Sequence, residues 1–77
     1  MDKRLLNLSS QEVARILVKF GFVISRQKGS HIQYIGVING IKKRVTLIAN
    51  QNSFTPKTMK SMIDQSGWTE NDWLKMI

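Results

Sequence analysis

The chain has 77 residues, a net charge of +7, no cysteine and a single histidine. That length predicts one domain over residues 1–77 with one thin core, worth about 3–5 kcal/mol. The absence of cysteine excludes disulfides and thiolate metal sites, and no apolar run is long enough for a signal peptide or membrane span, so a soluble cytoplasmic protein with no membrane partner is expected.

Residues 9–20 read as an amphipathic helix. Val13, Ile16, Leu17 and Phe20 recur at helical spacing, and Ser9-Ser10-Gln11-Glu12 has the S-x-x-E form of a capping box. Gly21 supplies a left-handed residue to end it. Three strands follow, Phe22–Gln27, His31–Ile38 and Ile41–Ala49, rich in β-branched and aromatic residues and separated by turn signals.

Asn39-Gly40 is a two-residue hairpin signal, because both residues tolerate positive φ. It pairs Ile38 with Ile41, and counting outward pairs Tyr34 with Val45 and Ile32 with Leu47 on an apolar face. The opposite face then pairs Val37 with Lys42, Ile35 with Arg44, Gln33 with Thr46 and His31 with Ile48. His31 therefore stands off the core. An even loop around Lys28-Gly29 would set Arg26 opposite His31. Unbroken alternation adds Phe22, Ile24 and Ile35 to this mixed face, as further core or as a protein-binding patch.

Residues 50–55 read as a polar loop. Thr55 caps a second helix with Pro56 at its first position, Met59, Met62 and Ile63 form its apolar stripe, and Gly67 ends it. Thr69-Glu70-Asn71-Asp72 can start a last short helix, packed by Trp68, Trp73 and Leu74. The order predicts an α+β fold, with both helices on one face of a three-stranded antiparallel sheet.

Charge is unevenly spread. Residues 1–63 hold eleven of the twelve Lys/Arg, with only Asp2 and Glu12 among the acids. Such clustering is the footprint of a nucleic-acid or acidic-protein partner. Lys57 and Lys60 lie in the first turns of the second helix, where the dipole favours anions. They are either solvated side chains or phosphate contacts.

The series Gly21-Phe22, Arg26-Gln27-Lys28-Gly29-Ser30-His31, Val45-Thr46 and Thr58-Met59-Lys60-Ser61-Met62-Ile63-Asp64-Gln65-Ser66-Gly67 resembles the HicA (YcfA-like) toxins. These are the mRNA-cleaving partners of HicB antitoxins in bacterial toxin–antitoxin pairs. The similarity runs from about residue 9 to residue 68. It implies a fold similar to the double-stranded RNA-binding domain, α-β-β-β-α. It also implies His31 at the catalytic position, Gly29 and Ser30 shaping the turn that presents it, and a HicB-like antitoxin covering the site. Where the family commonly carries Pro-x-His after the third strand, this chain reads Ile48-Ala49-Asn50.

The residues allow a specific chemistry. One histidine and five scattered acids give no metal-ligand spacing, and no Gly-rich loop joins a strand to a helix, so no cofactor is expected. RNA carries its own nucleophile in the 2′-hydroxyl. An imidazole beside it is a general base worth roughly 10²–10⁴ in rate, and cations stabilise the phosphorane. The expected activity is a metal-independent endoribonuclease, a hydrolase, with His31, Ser30 and Gly29 at the catalytic turn and Arg26, Lys28, Arg44, Lys57 and Lys60 binding RNA. By position alone His31 reads first as an exposed residue without a role, and it is the family motif around it that favours catalysis. A non-catalytic RNA-binding module, or a protein-interaction domain that has lost activity, stand as alternatives, and product formation separates them.

Overall fold

Side-chain caps set all four helices in this computed structural model, which describes residues 1–77. Ser9 accepts from the Glu12 N–H while the Glu12 carboxylate accepts from the Ser9 N–H, opening α2 (Ser10–Lys19) with the expected capping box. Thr55 accepts from the Thr58 N–H at 3.3 Å and opens α3 (Pro56–Ser66), Pro56 taking the first position. Thr69 and Asp72 form a second capping box before α4 (Glu70–Lys75). These hydrogen bonds hold the Glu12 and Asp72 carboxyls below their ordinary range, the backbone N–H of Ser9 and of Thr69 being the main cause in each case. One element was not foreseen: α1 (Lys3–Leu6), a single turn capped by Asp2. It is too short to show helical periodicity, yet it delivers Leu5 and, just beyond, Leu8 into the core.

Between α2 and α3 run β1 (Val23–Lys28), β2 (His31–Ile38) and β3 (Ile41–Ile48), in the order β1-β2-β3, all antiparallel. Asn39 and Gly40 have φ of 52° and 77°, the doubly left-handed pattern of a type I′ turn. Every β2–β3 pair anticipated from that turn is present, from Ile38–Ile41 to His31–Ile48. The α-β-β-β-α order and the α+β, double-stranded-RNA-binding-domain-like class are as expected, extended by a short helix at each end. No helix is long and apolar enough to cross a membrane.

The β1 expectations need three corrections. The loop before β2 holds only Gly29 and Ser30, so Lys28, not Arg26, stands opposite His31, and Arg26 pairs with Gln33. The strand begins at Val23 and ends at Lys28, and β3 stops at Ile48, one residue before Ala49. A bulge between Ile24 and Arg26 also breaks the alternation. Upstream of it the parity reverses, so Phe22 turns into the core instead of the mixed face, and Ile24 lies across from Tyr34 at the free edge. Phe22 packs over Gly36, where a Cβ would come within 2.9 Å of its ring. A glycine in mid-strand is explained by that close approach.

Helices α2 and α3 cover one face of the sheet, with α1 and α4 packed against the helical layer. Tyr34, Val45 and Leu47 from the sheet meet Val13, Ile16 and Leu17 from α2 and Met59, Met62 and Ile63 from α3. Phe54, in the segment read as a polar loop, is buried with them. Trp73 of α4 is wholly buried, and its indole N–H donates to Ser66 Oγ at 3.0 Å. That hydroxyl donates to the Ile63 carbonyl at 2.6 Å and accepts from the Trp68 N–H, so one buried atom ties α4 to the end of α3. Ser66→Ala would leave the Trp73 donor buried and unpaired, and urea unfolding should show a loss of about 1–3 kcal/mol. An unchanged midpoint would show that the hydroxyl does not hold α4.

Candidate functional site

The turn that carries the histidine is built from both sides. Gly29 has φ of 58° while Ser30 is not left-handed, the φ pattern of a type II′ hairpin turn. The Gln27 side-chain amide donates to the Gly29 carbonyl, bracing the turn from β1. From the other side the Ala49 N–H donates to the Ser30 carbonyl at 2.7 Å, extending the β2–β3 ladder past its last pair. The end of β3 is itself anchored: Ser10 Oγ, at the start of α2, donates to the Ile48 carbonyl at 2.7 Å and accepts from the Gln51 N–H. His31 is thus the first residue of a strand whose neighbours on both sides are fixed.

Its side chain lies on the face away from the helices and is exposed. Lys28 is its cross-strand neighbour on that face, and such pairs stand about 5 Å apart at Cβ. Around them opens a recess of about 520 Å³, lined by Arg26, Lys28, Gly29, Ser30, His31, Gln33 and Thr46. No apolar side chain and no carboxylate lines it. Two of the chain's acids, Glu12 and Asp72, are occupied as helix caps, and Asp64 faces Lys60 at 3.8 Å on α3. The cations of the recess are therefore not neutralised within the chain.

A second recess of about 350 Å³ adjoins the first. It lies between β3 and α3 and shares His31 and Thr46 with its neighbour. The two form a groove across the end of the sheet, with His31 in the middle.

Of the residues singled out from sequence, Arg26, Lys28, Gly29, Ser30 and His31 come together in the first recess. Lys57 lines the second. Lys60 lines neither and is paired with Asp64. Arg44 stands outside both, two residues along β3 from Thr46 on the same face. Gln33 and Thr46 were missed as site residues, although the hairpin register already placed them beside His31. Ser61 and Gln65 were missed because no spacing in the sequence sets α3 alongside β3. The apolar patch is also redrawn. It consists of Val23, Ile35 and Val37, with Lys42 and Arg44 alongside, while Phe22 is core.

The model of the HicA toxin of bacterial toxin–antitoxin systems matches residues 10–68. The chain belongs to this family. No curated protein matches it. The HicA match begins at α2 and ends just past α3, so it contains the turn, His31 and both recesses, whereas α1 and α4 lie outside it. As a HicA-family chain it is the toxin component of a toxin–antitoxin system.

The left-handed Gly29 has open space around its missing Cβ, so backbone conformation alone limits substitution there. Gly29→Val should lower the unfolding free energy by about 1–2 kcal/mol, and Gly29→Asn by less, since asparagine tolerates this region. Equal urea midpoints for the two variants would contradict the left-handed turn.

Proposed function

We propose that this toxin is a metal-independent endoribonuclease that cuts single-stranded mRNA in the His31 recess and is neutralised by a HicB-type antitoxin. The observation that carries the reading is the position of the one histidine. It is exposed off the core face, in a polar recess whose charged side chains are Arg26 and Lys28. Phosphate is drawn to such a place, and imidazole is the side chain suited to move a proton there near neutral pH.

In the proposed step His31 takes the proton of a ribose 2′-hydroxyl. The 2′-oxygen attacks the adjacent phosphorus, the bond from phosphorus to the 5′-oxygen breaks, and that oxygen leaves with a proton taken from water. The products are a 2′,3′-cyclic phosphate and a free 5′-hydroxyl. Lys28, across the strand pair, and Arg26, one pair further along, stabilise the added negative charge. Ser30 and Gly29 position the imidazole and do not react. The antitoxin reading is supported by the outer sheet face, where the exposed Val23 and Val37 lie beside Lys42 and Arg44. An acidic partner with an apolar centre fits that surface.

Incubation of the chain with single-stranded RNA in excess EDTA should yield fragments ending in cyclic phosphate. His31→Ala should reduce the rate by about 10²–10⁴, and a 2′-O-methyl RNA should stay intact. Cleavage that needs added magnesium, or that survives in His31→Ala, would contradict the mechanism. Intact RNA with both proteins would favour a binding module.

A further inference from the structure

The two halves of the groove differ in chemistry. The first recess is cationic and polar throughout, whereas the second has an apolar floor of Ile48 and Met62 beneath a rim of uncharged hydrogen-bonding groups. Thr58, Ser61 and Gln65 of α3 form that rim, facing Thr46 across the gap, and Lys57 stands at one end. A phosphate suits the first kind of surface. A nucleobase, apolar on its faces and polar at its edges, suits the second. At about 350 Å³ the recess is also at the small end of ligand pockets, which run from about 300 to 1,000 Å³.

Gln65 supplies the most specific element. Its Oε1 accepts from the Thr46 backbone N–H at 3.2 Å, and only the oxygen end of the amide can do so. The NH2 end is left with two donors and no partner within the chain. The same side chain therefore closes the β3 edge and offers a donor pair at the wall of the recess. Ser61 makes no side-chain hydrogen bond within the chain and is exposed, so its hydroxyl is available as well.

We infer that the recess between β3 and α3 holds one unpaired nucleobase next to the scissile phosphate and that Gln65 and Ser61 determine which base is preferred. This assignment rests on the ribonuclease reading of the neighbouring recess. With the scissile phosphate at Lys28 and Arg26, the recess takes the base of the nucleotide that carries this phosphate on its 5′-oxygen. The ribose of that nucleotide passes Thr46, while the attacking 2′-hydroxyl of the preceding ribose meets His31, the two residues common to both halves. A base within a duplex cannot enter such a recess, so the substrate is single-stranded or locally unpaired.

Titration of the ¹⁵N-labelled chain with the four ribonucleoside 5′-monophosphates, and with ribose 5-phosphate as the base-free control, tests this without requiring cleavage. It therefore stands apart from the outcome of the ribonuclease assay. All five ligands should shift the amides of Lys28, Ser30 and His31. Only the nucleotides should shift Ser61 and the Gln65 side-chain NH2, and one base should bind about tenfold or more tightly than ribose 5-phosphate. Ser61→Leu, on the exposed side of α3, fills the recess and should remove that advantage while leaving ribose 5-phosphate binding unchanged. Gln65→Glu keeps the acceptor for Thr46 but removes the donors, and should change which base binds best. Equal affinities for all five ligands would overturn the assignment. So would a base advantage that survives both substitutions.

Discussion

The pairing of β2 with β3 is the constraint on which everything else depends. Side chains alternate along a strand with a period of two, so a slip of one residue would carry His31 to the helix side and Tyr34 to solvent. The Asn39–Gly40 turn prevents that slip, because its two left-handed residues close the hairpin on Ile38–Ile41 and on no other pair. Burial of Tyr34, Val45 and Leu47 enforces the same register from the core side. Two independent forces, turn geometry and hydrophobic burial, thus agree on where the histidine stands.

A second constraint is the bulge at Ser25. Without it, β1 could not both send Phe22 over Gly36 into the core and hold Arg26 and Lys28 on the outer face. The extra residue reconciles the two demands, at the free edge of the sheet where a bulge disrupts least. The division of charge follows the same plan. The strands carry Arg26, Lys28, Lys42, Lys43 and Arg44 and no acid, whereas the helices carry both signs and use Glu12 and Asp72 as caps. The open face around His31 is therefore cationic with no acid to offset it.

Much of this was legible because it depends on local rules. The capping box at Ser9–Glu12, the Thr55-Pro56 start of α3 and the Asn39-Gly40 turn each have a sequence signature, and together they fix the element order and the β2–β3 register. The bulge has none: Ser25 is an ordinary strand residue, and only the competition between Phe22 and Lys28 for opposite faces demands it. Likewise α1 is a single turn without periodicity, stable because Leu5 is packed from outside. The second recess was hidden for a different reason. Ser61 and Gln65 are near His31 only because α3 runs alongside β3, and no spacing in the sequence reveals that.

The central claim is that the open sheet face brings His31 to the 2′-position of an RNA ribose. A crystal structure of the chain with an oligonucleotide carrying 2′-fluoro at each ribose, which cannot react, tests it most directly. An imidazole nitrogen within about 3 Å of a 2′-substituent, with the adjoining phosphate against Lys28 and Arg26, is the predicted result. RNA seated on the helix side, or anywhere that leaves His31 free in solvent, would contradict it.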